Sequence, residues 1–260
     1  MAELRFGFHD FLNAQPLLAT LRKRESEGGY RLFLDSPAGV AKKFNAGELD
    51  LGMIPSVEYV RNRMRYHLLE HFAIVSRGPV DTVILILKKE PEKVERVSLD
   101  ANSMTSSALT RILFKERFPE SVCYQSFSGD PKESLQTSDA VLVIGDKAFS
   151  ARRKLSDHTI IDLSEEWFRQ TGKPFVHAVV AVHQEKDVPQ SVLNVLEETQ
   201  FRVNESISKI VKSPLKSLEL TSTECENYLR NKIDYTLDKE ALAGLEHFGE
   251  LFQQEFFLNN

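Results

Sequence analysis

The stretch Gly47–Tyr59, GELDLGMIPSVEY, constrains the fold more than any other part of the chain. Leu49, Leu51, Met53 and Ile54 form an apolar run short enough for a buried strand. Pro55-Ser56 follows at once and opens a helix through Val57, Tyr59 and Val60. A strand feeding directly into a helix start leaves free backbone N–H groups at one spot, which either serves an ordinary β–α connection or holds an anion. The same succession precedes it. Leu4–His9 reads as a strand, Asp10–Gln15 as a polar turn, and Pro16 heads a helix to about Arg24. Tyr30–Asp35 alternates as a strand, and Ser36-Pro37 caps a helix over Ala38–Ala46 that Gly47 ends. Strand–helix–strand–helix–strand within residues 4–54 requires parallel pairing with right-handed crossovers.

Leu68–Val75 and Thr82–Lys88 read as further strands, and Val97–Asp100 starts a second α/β series. That series continues with a helix Ser106–Arg117, strands Val122–Phe127 and Ala140–Ile144, Ile160-Ile161, and a helix Glu165–Gln170. Phe175–Val182 is one more buried strand, and from Pro189 onward the pattern is almost wholly helical. Thr82–Lys88 and Phe175–Val182 are the runs where the chain is expected to cross between two α/β lobes, residues 1–83 plus 176–260 and residues 84–175. Each lobe then presents strand C-ends and helix N-termini to a cleft, the usual ligand position in open α/β sheets. A single continuous sheet is the alternative.

Composition narrows the function. A net charge of −5 with well-mixed signs argues against nucleic acid as the main partner. No segment reaches the roughly 18 uninterrupted apolar residues of a membrane span. The start, MAELRFGFHDFLNAQ, lacks the basic and apolar regions of a signal peptide, so a cytoplasmic protein is expected. Cys123 and Cys225 lie far apart with no metal-ligand spacing and are expected to be free thiols. No Ser/His/Asp order, phosphate-binding loop or dinucleotide fingerprint appears. Cofactor-free, metal-free chemistry or pure binding is left, and the sequence sets no oligomeric state.

The polar turns at predicted strand ends carry the candidate site residues. Ser103, Thr105, Ser106 and Ser107 form the densest hydroxyl cluster, at a helix start; they either cap the helix, which needs one of them, or bind a carboxylate or phosphate. Ser56 stands at another helix start, and Thr82 follows the turn that begins at Ser76. Asp146, after the strand VLVIG, reads as a cap, a hydrogen-bond acceptor for a ligand, or a base. Asn13 reads as an Asx-turn residue or a ligand contact. His9 and His177 read as structural histidines.

These turns together resemble a known family. FLNAQPL at Phe11–Leu17, GELDLGMIPSVEY at Gly47–Tyr59, SRGPVDTVIL at Ser76–Leu85, LDANSMTSSALTRIL at Leu99–Leu113, VLVIGDKAF at Val141–Phe149 and DLSEEWFRQTGKPFVHAV at Asp162–Val179 look like chorismate dehydratase of the futalosine route to menaquinone. The match runs from about residue 4 to 185, in order. The resemblance implies a two-lobed fold similar to type II periplasmic binding proteins and loss of water from chorismate to give 3-[(1-carboxyvinyl)oxy]benzoate. It implies that Asn13 contacts the reacting part of the ring and Asp146 the ring hydroxyl. Ser103, Thr105, Ser106 and Ser107 would then hold one carboxylate, and Ser56 the other. Thr82 stands where serine is expected, and His177 where an aromatic residue is usual. The competing readings are a related 1,4-dihydroxy-6-naphthoate synthase, whose early loop is of a Ser-Pro-Cys-Pro-Asn type, and a non-catalytic cytoplasmic binder of a small carboxylate.

Overall fold

The computed structural model describes residues 3–212 and 218–258. Its strands are β1 (Leu4–Phe8), β2 (Tyr30–Leu34), β3 (Leu51–Pro55), β4 (Tyr66–Ser76), β5 (Val83–Leu87), β6 (Arg96–Asp100), β7 (Cys123–Phe127), β8 (Ala140–Ile144), β9 (Thr159–Asp162) and β10 (Phe175–His183). The α-helices are α1 (Gln15–Gly28), α2 (Pro37–Asn45), α3 (Ser56–Arg61), α4 (Met104–Phe114), α5 (Pro131–Thr137), α6 (Lys147–Lys154), α7 (Leu163–Thr171), α8 (Gln190–Phe201), α9 (Val203–Ile210), α10 (Ser222–Asn227) and α11 (Lys239–Gln253). Two five-stranded sheets result, ordered β2-β1-β3-β10-β4 and β7-β6-β8-β5-β9. The single continuous sheet is thereby excluded.

The local signals explain the first sheet. Ser36 accepts from the Gly39 N–H and Pro37 takes the first turn of α2, as a cap followed by proline should. β1 then pairs in parallel with β2 (Phe6 opposite Leu32) and with β3 (Phe6 opposite Leu51). All five residues of β3 are buried, which accounts for the unbroken apolar run. β6 likewise pairs in parallel with β7 and β8.

The two runs read as crossings behave differently. β5 and β10 are interior strands, each antiparallel to both neighbours: β5 to β8 and β9, β10 to β3 and β4. Burial on both faces is what makes them so apolar. The chain instead crosses in the turns that precede them. Outward, Arg77–Thr82 contains Gly78 at φ 122° and Asp81 at φ 65°. The Asp162 carboxylate holds this turn, accepting from Val80 N at 3.0 Å and Asp81 N at 2.6 Å while also capping α7. The return runs through Lys173-Pro174. There Gly244 of α11 approaches so closely that a Cβ would lie 2.1 Å from the Pro174 carbonyl oxygen, so only glycine fits.

The C-terminal helices strap both lobes. Trp167 of α7, fully buried, packs edge-on to Phe175 of β10 and to Phe248 of α11. Tyr228 meets Phe149 of α6 edge-to-face at 5.0 Å. Arg153 pairs with Glu224 at 2.8 Å. No helix among the described residues is long and apolar enough to cross a membrane. Cys123 is exposed, Cys225 is buried, and both are free.

Candidate functional site between the two sheets

A narrow cleft, open at its mouth, lies where the C-terminal ends of β1, β3, β6 and β8 meet, the usual ligand position in open α/β sheets. His9, Phe11 and Asn13 enter it from the connection after β1, Pro55 from the end of β3, and Gly145 from the turn after β8. Thr82 and Val83 form part of the wall where the chain crosses outward. Ser103, Met104, Thr105 and Ser106 line it from the start of α4.

The first turn of α4 is built to receive an anion. Helix formation begins at Met104, two residues earlier than the sequence pattern indicates, so Ser103 takes the N-cap position. Its side chain makes no capping bond. Among the described residues no acceptor is found for the N–H groups of Met104, Thr105 and Ser106, nor any partner for the Ser103 and Ser106 hydroxyls. Unpaired amides at a positive helix end favour a carboxylate or phosphate. Thr105 has a different duty: its Oγ1 accepts from the Val57 N–H of α3 at 3.2 Å, joining the two helix starts across the cleft. Ser107 is half-buried on the same turn but does not line the cavity.

Asn13 sits in a short turn, Leu12–Ala14, and its Oδ1 is buried with no hydrogen-bond partner. The structure thus shows no Asx-turn bond from that oxygen. Asp146 starts α6 without capping it. Its carboxylate reaches across the cleft instead and accepts from the Leu12 N–H at 3.0 and 3.2 Å. Burial pushes its pKa up to about 6, against the lowering effect of that N–H. Beside it Gly145, at φ 66°, has the Phe11 ring 3.0 Å from where a Cβ would stand. Phe11 and Leu12 therefore pin the Asn13 turn onto the β8–α6 connection, and Asp146 acts one residue away from Asn13 rather than from the cavity wall.

Ser56 is fully buried and donates to the Val176 carbonyl at 2.6 Å, fastening α3 to β10. It does not line the cavity, although Pro55 beside it does. Thr82 Oγ1 lies 2.9 Å from Tyr228 Oη, so its hydroxyl is committed to the C-terminal strap. The sequence-predicted residues Asn13, Thr82, Ser103, Thr105 and Ser106 thus share one cavity, while Ser56, Ser107 and Asp146 stand behind its walls.

The histidines read as structural both line the cavity. His177 Nε2 lies 3.0 Å from Ser76 Oγ, and burial lowers its pKa to about 3. His9 is 4 % exposed, packs against the Phe8 and Phe11 rings, and has its Nδ1 buried without a partner. Burial lowers its pKa to about 4. No Lys, Arg, Asp or Glu lines the cavity among the described residues. No group of three or more described His, Cys, Asp or Glu side chains is arranged to hold a metal ion.

A model of the family described as menaquinone biosynthesis matches residues 4–254. The chain belongs to that family. The chorismate dehydratase of Thermus thermophilus is 28 % identical over 259 residues, covering 94 % of this chain and 93 % of that protein. The chorismate dehydratase of Campylobacter jejuni is 25 % identical over 247 residues, covering 94 % and 95 %. Among solved structures, a protein of Archaeoglobus fulgidus superposes with a TM-score of 0.70 at 14 % identity, each chain covered to 96 %. The alkanesulfonate-binding protein of Xanthomonas axonopodis pv. citri bound to MOPS gives 0.65 at 13 %, with 98 % and 93 % covered. A Candida albicans protein described as having the generic periplasmic binding protein structural fold gives 0.64 at 11 %, with 97 % and 90 % covered. This menaquinone-biosynthesis family member therefore has the two-lobed periplasmic-binding-protein fold.

Proposed function

We propose that the protein is a cytoplasmic, cofactor-independent lyase that dehydrates chorismate to 3-[(1-carboxyvinyl)oxy]benzoate on the futalosine route. The observation that carries this reading is the match to chorismate dehydratases along nearly the whole chain. The cavity supports it chemically. The substrate is a dianion whose elimination makes an aromatic ring, so the protein must position it and exclude water more than activate it. The amides of Met104–Ser106 with the Ser103 and Ser106 hydroxyls hold one carboxylate. Asn13, its Oδ1 unpartnered, contacts the reacting part of the ring. Asp146 and Ser56 position: the first holds the Asn13 turn through Leu12, the second seats α3 against β10. The cleft lies between two lobes whose bounds shift by one residue from those expected, since Val83 opens β5 in the second sheet and Phe175 opens β10 in the first.

The test is to incubate the purified protein with chorismate and follow products by chromatography and mass. Loss of one water with the enolpyruvyl group retained is expected. Tight chorismate binding without turnover would instead make the protein a binder, and neither turnover nor binding would point to a different ligand.

A further inference from the structure

We propose that the Asp162 carboxylate pins the outward crossing turn to α7 and thereby holds one wall of the cleft in place. It is a positioning residue for the reaction, and that part of the assignment rests on the dehydratase reading. The two carboxylate oxygens have separate duties. Oδ1 accepts from the Ser164 and Glu165 N–H groups at 3.0 and 3.2 Å, which is ordinary capping of α7. Oδ2 accepts from Val80 N at 3.0 Å and Asp81 N at 2.6 Å, donors 82 and 81 residues away in the sequence. A cap needs only the first pair. The second pair ties the turn by which the chain leaves the first sheet to the helix that leads it back, since α7 ends at Thr171 and β10 begins at Phe175.

The turn needs such a support. Asp81 stands at φ 65°, a left-handed conformation that residues other than glycine seldom adopt. Its own side chain holds it weakly, with Arg152 at 3.7 Å and Lys232 at 3.6 Å. Its N–H bond to Asp162 is the short one. Val80 and Thr82, on either side of Asp81, line the cleft, and Val83 lines it next. Asp162 is 6 % exposed, so water does not take its place. Burial raises its pKa to about 6 against the lowering effect of the N–H groups, which leaves it ionised at neutral pH. The helix it caps is in turn fixed to the first sheet. Trp167 packs edge-on to Phe175, and its Nε1 donates to the Pro174 carbonyl at 3.2 Å. Through Asp162, the positions of Val80, Thr82 and Val83 are thus referred to α7 and on to β10.

The experiment separates the pin from the cap. Serine caps a helix as well as aspartate does, but its single hydroxyl oxygen cannot also serve Val80 and Asp81. Asp162→Ser is therefore compared with Asp162→Ala and the wild type. Serine should recover most of the Tm that alanine loses. Both variants should nevertheless lose roughly 10- to 150-fold in kcat/KM for chorismate, the factor that corresponds to a hydrogen bond to a charged group. Hydrogen exchange reads the same displacement without substrate. The Leu12 and Val57 amides bond across the cleft to Asp146 and Thr105, and both should lose protection in Asp162→Ser while Phe6 of β1 and Leu142 of β8 keep theirs. Gly78→Ala approaches the turn from its other end and decides the matter should neither Asp162 variant fold. At φ 122° any residue with a Cβ is strained, although that Cβ would meet no neighbour, so this variant should also lose kcat/KM with the α7 cap intact. Serine restoring turnover to within about twofold of wild type would reduce Asp162 to a cap and overturn the assignment. Unchanged exchange at Leu12 and Val57, or wild-type kcat/KM in Gly78→Ala, would overturn it as well. A wild type inert toward chorismate would sink the dehydratase reading, and exchange at Leu12 and Val57 would still decide whether Asp162 holds the wall.

Discussion

Replacing Asp146 by alanine tests how much its hydrogen bond to Leu12 contributes to holding the Asn13 turn at the cleft. The Leu12 N–H is shared between both carboxylate oxygens, at 3.0 and 3.2 Å, which is one charge-assisted bond and not two. Leu12 is only 2 % exposed, so water does not replace the lost acceptor. A hydrogen bond to a charged group contributes about 1.5–3 kcal/mol net. At about 1.4 kcal/mol per factor of ten, kcat/KM for chorismate should fall by roughly 10- to 150-fold. The bond fastens the Asn13 turn to the β8–α6 connection and lies outside both sheets, so the loss should appear in kcat/KM more than in stability. At about 2–4 °C per kcal/mol for a domain of this size class, the full bond energy expressed in folding would lower Tm by roughly 3–12 °C, and less is expected. Asp146→Asn keeps an oxygen facing Leu12 and should lose only about 1 kcal/mol, near fivefold. An Asp146→Ala enzyme with kcat/KM within twofold of wild type would refute the reasoning, as would an asparagine variant as impaired as the alanine one.

Ser106→Ala and Ser103→Ala should each raise KM for chorismate by about 10-fold or more with Tm unchanged, since neither hydroxyl has a partner inside the protein; steady-state kinetics decides. Tyr228→Phe removes the 2.9 Å contact with Thr82 and should cost about 1–2 kcal/mol of stability, read by denaturant titration. Acid should destabilise the protein through His9. Its folded pKa is depressed to about 4 from 6.5, so the unfolded chain binds the proton first and stability is lost as pH falls through that window. Relative to His9→Gln, the wild type should lose roughly 2–3 kcal/mol between pH 7 and 4.5. Asp146 slopes the other way. Its folded pKa is raised to about 6 from 3.8, so its contribution to stability falls as pH rises between those values and is flat above. Asp146→Asn should remove that slope and leave the His9 one.

The helix starts and strand ends were legible because their causes are local. Ser36-Pro37 announces α2, and the β-branched run of β5 announces a buried strand whatever it pairs with. Pairing direction is not local. Nothing within Val83–Leu87 or Phe175–His183 says that each lies antiparallel between two neighbours distant in sequence. The same limit governed the site. Asn13, Ser103 and Ser106 were recognisable as unusual polar groups at strand ends, whereas the partners that occupy Ser56, Thr82 and Asp146 lie 120, 146 and 134 residues away. A side chain's freedom to meet a ligand depends on those partners. That His9 lines the cavity, with a buried Nδ1 that has no partner, likewise appears only once the cavity around it exists.

The electrostatics of that cavity are consistent with the proposed chemistry in a way that a cationic site would not be. A dianionic substrate facing an arginine would gain tight ground-state binding, which lowers KM without helping the chemical step. Here the described lining offers amides, hydroxyls and histidines whose pKa burial lowers, with no Lys, Arg, Asp or Glu among them. Lys147 is paired with Asp100, and Asp146 is turned toward Leu12. Oriented dipoles at the α4 end can fix one carboxylate at a defined point while leaving the opposite side of the cavity neutral. The absence of a lining cation thus fits a division of labour in which α4 holds the substrate and the β1–α1 connection, clamped by Asp146, meets the ring.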